Sequence, residues 1–162
     1  MYTTIIIFLI SFSGLLCGRL LAHIAKEELP AGRRYFHRLQ TTLLLLLVVI
    51  LLYPALFNPL TIIGFLIGIV LGRYFRHRYF YLGLALTLSF MLPSPLLLLT
   101  ASVIFLYGLP YGTLLKAATP EHIITLFMFF IAPLLLLFMK ETLLPSLDIY
   151  LSVTAGALFL RT

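Results

Sequence analysis

Few side chains in this sequence could do chemistry. His23 and Glu27 are four residues apart and His23 and Lys26 three apart, so on a helix from Ala22 to Leu29 the trio would share one face. Such a group could bind a lipid phosphate or relay a proton; it could equally be the wet side of an amphipathic segment lying on a membrane. Asp148 is the only aspartate, five residues into an apolar run that starts at Leu143. A carboxylate in hydrocarbon is costly and therefore suspect for ion coupling. Five residues is only about 8 Å of helix, however, and near an interface Asp148 could be solvated or paired with Lys140 or Tyr150. The third group is cationic. Arg33, Arg34 and Arg38 form one cluster and Arg73, Arg76 and Arg78 another. Anionic lipid headgroups account for them as well as a phosphorylated ligand does.

Other chemistries lack equipment. A single aspartate excludes a paired-aspartate protease. His23, His37, His77 and His122 do not show the spacing of a metal-binding helix. Cys17 stands alone, which excludes an intrachain disulfide framework and a multi-cysteine zinc site. No serine lies in a G-x-S-x-G turn, and no glycine loop precedes a Lys-Ser or Lys-Thr pair. Neither metal nor cofactor is expected, and an enzyme is the less favoured class. A lipid-modifying enzyme would have to use His23, Glu27 and Glu28 at the interface.

The elements that position these residues belong to a membrane. Of 162 residues 62% are hydrophobic and 10% charged, with a mean hydropathy of +1.16, whereas a soluble domain carries roughly 25% charged residues to wet its surface. The formal charge of +6 sits in short links between apolar runs, as in cytoplasmic loops, which argues against nucleic acid as the partner. The chain reads as one integral-membrane helical domain over residues 1–162, all-α and polytopic. About seven short transmembrane helices are expected: Met1 to Leu21, Thr41 to Phe57, Leu60 to Gly72, Tyr79 to Leu92, Leu96 to Leu109, Ile123 to Phe138 and Leu143 to Leu160.

The first run has no basic residue before its core, unlike a signal peptide, so it is expected to stay uncleaved and to enter from outside. That choice puts Arg19, Lys26, Arg33, Arg34, Arg38, Arg73, Arg76, Arg78, Lys116 and Arg161 in the cytoplasm and leaves Lys140 outside. Pro30 and Gly32 are expected to break the first link into a short interfacial helix and a turn, and Pro110 and Gly112 to end the fifth span. The third span is short against the roughly 20 residues a crossing needs.

A repeat runs through this pattern. Gly14-Leu15-Leu16-Cys17-Gly18-Arg19, then Arg34-Tyr35-Phe36 and an apolar run to Pro54, is echoed by Gly68-Ile69-Val70-Leu71-Gly72-Arg73, then Arg78-Tyr79-Phe80 and a run to Pro93. Each copy reads as a helical hairpin, and Pro54, Pro93 and Pro133 continue the period at about 40 residues. Gly14 and Gly18, with Gly64, Gly68 and Gly72, offer small faces for helix packing. Thr87, Ser89, Thr100 and Ser102 could line a polar path, or bond back to their own helices.

Two functions are compatible with this. One is a non-enzymatic membrane subunit or scaffold in a prokaryotic plasma membrane. Its basic cytoplasmic loops would meet anionic lipid headgroups or partner proteins, and its glycine faces would hold membrane-protein partners or further copies of itself. The other is a transporter of a small solute, ion or lipid that uses Asp148.

Overall fold

The computed structural model describes residues 2–25, 29–55, 58–75, 77–92, 94–115 and 119–160. Helices α1 (Tyr2–Ile24), α2 (Leu29–Leu52), α3 (Leu60–Tyr74), α4 (Arg78–Phe90) and α5 (Ser94–Leu114) follow one another. Then come α6 (Pro120–Ile131), a 3₁₀ segment (Ala132–Met139), α7 (Lys140–Leu143), a second 3₁₀ segment (Leu144–Ser146) and α8 (Leu147–Phe159). No strand occurs among the described residues.

Among the described residues four helical segments are long and apolar enough to cross a membrane: Tyr2–Ile24, Gly32–Leu52, Pro95–Leu114 and Pro120–Phe159. Leu60–Tyr74 is apolar but shorter.

Backbone-to-backbone contact organises these helices into two pairs. In the first, Gly14 of α1 faces the backbone of Phe105 and Gly18 that of Leu109. From the other side, Gly108 of α5 faces Gly14 and Leu15, and Gly112 faces Leu15, Gly18 and Arg19. The numbers rise together, so α1 and α5 run in the same direction. In the second pair Gly64 of α3 meets Ile149 and Ser152, Gly68 meets Val153, Gly72 meets Ala157, and Gly156 of α8 meets Phe65 and Ile69. These helices too run in the same direction. A Cβ added at Gly14 or Gly68 would collide with the carbonyl of Phe105 or Val153. Only hydrogen lets the backbones approach this closely, which is how helices associate where lipid offers no hydrophobic drive.

Both G-x-x-x-G-R stretches are therefore contact faces toward a parallel partner. α2 and α4 fill the space between the pairs. α2 packs on α5 and α8, with Leu44, Leu47, Val48 and Leu51 buried at helical spacing. α4 packs on α5, α6 and α8, and its Leu82, Ala85 and Leu86 have no exposed surface. Among the described residues α1 scarcely touches α2, nor α3 α4. Neighbours in the chain are held apart by a third helix that each of them packs against.

Three local expectations are corrected. Pro30 and Gly32 do not break the first link: α2 starts at Leu29 and carries both in its opening turns. A first-turn N–H has no intrahelical acceptor, so proline removes nothing there. Pro110 and Gly112 do not end α5, which continues to Leu114. Gly108 and Gly112 on either side of that proline are seated on α1, and tertiary contact outweighs the missing hydrogen bond. Thirdly, Lys140 and Glu141 lie not in an open turn but in α7, inside an unbroken helical path from Pro120 to Phe159. The path changes to 3₁₀ winding where Pro133 and Pro145 fall, because proline denies the ladder an N–H and crowds the preceding turn.

The packing gives a stability expectation. Gly68→Leu should destabilise the protein by about 1–3 kcal/mol or more through overpacking, read as a lower thermal unfolding midpoint in mild detergent. Gly32→Ala should stay within about 0.5 kcal/mol of wild type, since the nearest atom to the new Cβ is the tip of the Phe36 ring at 3.2 Å. Equal midpoints for the two variants would contradict the close-contact account.

Candidate basic membrane-end site

Cations gather at one end of the bundle. Arg19 follows Gly18, which lies against Leu109 in the last turns of α5. Arg33, Arg34 and Arg38 are exposed in the first turns of α2, and Arg73 is exposed in the last turn of α3. His23 is exposed near the end of α1. Glu27, Lys26 and Arg76 lie outside the described residues, and with them the expected His23–Glu27 face.

Arg78 differs from the other arginines. It opens α4, is half-buried, and donates from Nη1 to the Tyr107 hydroxyl of α5 over a long 3.5 Å. No ion pair accompanies this bond among the described residues. A guanidinium has five N–H donors, so one distant neutral phenol leaves most of them for an outside acceptor. Oxyanions suit it best, because charge-assisted bonds are the stronger kind and the planar fork fits carboxylate and phosphate.

Two further tyrosines complete the cluster. The Tyr111 ring stands 5.8 Å from Tyr107 and 5.2 Å from Tyr79. Tyr79 is buried against Phe12 and Phe130 at 5.9 and 6.1 Å, and among the described residues its hydroxyl has no hydrogen-bond partner. Beside it, His77 stacks on Phe129 at 3.9 Å and 13°. The site is thus an aromatic wall carrying one half-exposed cation. Tyr107 and Tyr111 were not singled out from the sequence. Their i, i+4 spacing on an apolar helix was the available signal, and it resembles ordinary core packing.

Asp148 lies at the opposite end, half-buried in the first turn of α8, one residue before the Ile149 contact with Gly64. Among the described residues no hydrogen bond or ion pair reaches its carboxylate, and Lys140 is exposed elsewhere. The intramembrane hydroxyls are taken up locally. Thr87 donates to Gly83 O at 2.9 Å, Ser102 to Leu98 O at 2.8 Å, and Ser89 and Thr100 share a buried bond of 3.0 Å between α4 and α5. Those four do not form an open polar path. A groove of about 420 Å³ between α1 and α5 is lined by Ile7, Ile10, Leu98, Ala101, Phe105 and Leu106 with only Ser102 polar. It offers room for hydrocarbon but no reactive group. Among the described residues no three His, Cys, Asp or Glu side chains converge on a metal position.

No protein-family model, curated protein or solved structure matches the chain.

The hydrogen-bond inventory makes opposite expectations for two hydroxyl deletions. Tyr79→Phe removes a group buried without a partner and should leave thermal stability unchanged or raise it by about 1 kcal/mol. Ser89→Ala orphans Thr100 and should lower it by about 1 kcal/mol. Loss of stability in Tyr79→Phe would reveal a partner for that phenol.

Proposed function

We propose that this protein is a non-enzymatic integral membrane protein, a subunit or scaffold, whose basic end faces the cytoplasm and grips anionic phospholipid headgroups. The observation that carries this reading is Arg78, half-buried, hydrogen-bonded to a neutral phenol and without an ion pair among the described residues. Exposed Arg33, Arg34, Arg38 and Arg73 at the same end of the bundle would add long-range attraction to an anionic leaflet. Glycine faces do not serve as partner surfaces in this proposal, since Gly14, Gly18, Gly64, Gly68 and Gly72 are occupied inside the chain. Membrane-protein partners or further copies would use other helix faces or the basic end.

The proposed topology has seven alternating passes, with the N-terminus outside. Its alternation is supported by parallel running in the pairs α1/α5 and α3/α8, whereas the repeated hairpins α1–α2 and α3–α4 gain no support, since their members scarcely touch among the described residues. Helices an even number of passes apart must run in the same direction, and both pairs fit that rule if the path from Pro120 to Phe159 turns back on itself. The transporter reading has less support: Asp148 has only partial burial and no ligand set, and Thr87, Ser89, Thr100 and Ser102 are already bonded.

Lipid retention tests the proposal. Native mass spectrometry of protein extracted from mixed phosphatidylglycerol and phosphatidylcholine bilayers should show preferential retention of the anionic lipid. Arg78→Gln should weaken that preference on the order of fivefold, matching about 1 kcal/mol for one basic residue at an anionic surface. Added salt should erode the share from the exposed arginines more than that from half-buried Arg78. Equal retention of both lipids by wild type would end the headgroup reading. For orientation, a single cysteine from H37C in a C17S background should resist an impermeant thiol reagent in intact cells and react after lysis; ready labelling of intact cells would reverse the assignment.

A further inference from the structure

The helices of the two parallel pairs differ in length. α1 has 23 residues and α5 has 21, about 34 and 32 Å at the helical rise, which matches a hydrocarbon core of roughly 30 Å. α3 has 15 residues, about 22 Å. Its limits are firm at both ends. Asn58 accepts the Leu60 N–H on its side-chain oxygen at 3.0 Å, and Arg73 is exposed in the last turn, before the backbone turns extended at Phe75. α8, its partner, has only 13 residues of α-helix.

A short helix can hide among longer neighbours, but α3 does not. Among the described residues its one extensive contact is with α8, through Gly64, Gly68 and Gly72. Its other sides leave Ile62 69%, Leu66 57% and Val70 56% exposed, with Ile63 and Ile67 beside them. Tilting would shorten its vertical reach further. The membrane must adjust instead, by thinning against the shorter stretch.

We infer that α3 is a lipid-facing helix that draws the bilayer thin along one side of the protein, so that short-chain phospholipid collects there. Side-chain size identifies lipid rather than another helix as the occupant. The α1/α5 and α3/α8 contacts in this molecule are made through Gly and Ser, the small residues that intramembrane association favours. The outer face of α3 has none of these, only branched aliphatic side chains that suit fluid acyl chains. At its inner end Arg73 and Tyr74 are exposed and can reach a displaced headgroup layer by snorkelling.

Depth-matched quenching tests this in neutral lipid, where headgroup charge plays no part, so its outcome is independent of the Arg78 proposal. A fluorophore is attached at L66C in a C17S background, and in a separate protein at L9C, an exposed site on full-length α1. Each is reconstituted into mixtures of short- and long-chain phosphatidylcholine with one species brominated at a time. At L66C the short-chain quencher should be about two- to fivefold more effective than the long-chain one, given a mismatch cost of fractions of a kcal/mol per Å. L9C should show no preference. I63C, on the same face, repeats the measurement should L66C perturb folding. Equal quenching by both lipids at the α3 positions overturns the inference. So does protection from both, which would put a second copy or another protein over α3.

Discussion

The structure depends on carbonyls and α-carbons of parallel helices coming into direct contact. In water a helix pair is held by apolar surface leaving solvent, but in a bilayer the surrounding chains are as apolar as leucine, and packing must supply the attraction. Gly14 and Gly18 against Gly108 and Gly112, and Gly64, Gly68 and Gly72 against Ser152 and Gly156, give two seams of backbone contact, and Gly83 against the backbone of Phe130 adds a single point of the same kind between α4 and α6. Sequential helices of a short-looped bundle run antiparallel, so a parallel partner must come from elsewhere in the chain. That is why α1 waits for α5 and α3 for α8, and why α2 and α4 are left to bridge the pairs. The same constraint makes the defining contacts long in sequence, Gly14 with Phe105 and Gly64 with Ser152. The early helices cannot reach their final packing until the later ones exist.

Against this apolar frame the treatment of polar groups is uneven in an informative way. Hydroxyls are neutralised nearby, by back-bonding to a carbonyl in Ser11, Thr87, Ser102 and Thr154 or across helices in Ser89 and Thr100. Back-bonding satisfies a hydroxyl without requiring any partner helix, so scattered Ser and Thr say little about function. The exceptions stand together. Tyr79 is buried without a partner and Arg78, the adjacent residue, has one weak neutral partner. Imperfect pairing at adjacent residues of α4, at the end where basic residues collect, makes this corner chemically distinct from the rest of the bundle.

Much of the helical character was legible in the sequence because it depends on composition, which a bilayer constrains strongly. Partner choice was not. Gly68 announces a close contact but carries no information that the contact is Val153 rather than a helix of another chain. Proline misled twice: Pro30 and Pro110 read as breakers, yet the first falls where helices tolerate it and the second is flanked by glycines seated on α1. Periodicity could not reveal the long helical path through Pro133 and Pro145, since lysine and glutamate at 140 and 141 look the same in a turn and in one helical turn. At the basic end the arginines were visible one by one. What set Arg78 apart was Tyr107, 29 residues away, a pairing that exists only once α4 and α5 pack.

The length difference between the pairs bears on that corner too. α3 runs into α4 through a link of three residues, with exposed Arg73 before it and half-buried Arg78 after it. Where a bilayer is drawn thin beside α3, its phosphate layer shifts inward on that side, toward this link. Arg78 opens α4 just after that link, so its guanidinium is a group that a displaced phosphate layer would meet. Its bond to the Tyr107 hydroxyl ties the guanidinium to the aromatic wall, which would limit the conformational entropy lost when an anion binds. The two proposed effects would then meet at one corner of the molecule, the short α3 setting the level of the headgroups and Arg78 offering them a guanidinium bonded only to a neutral phenol among the described residues.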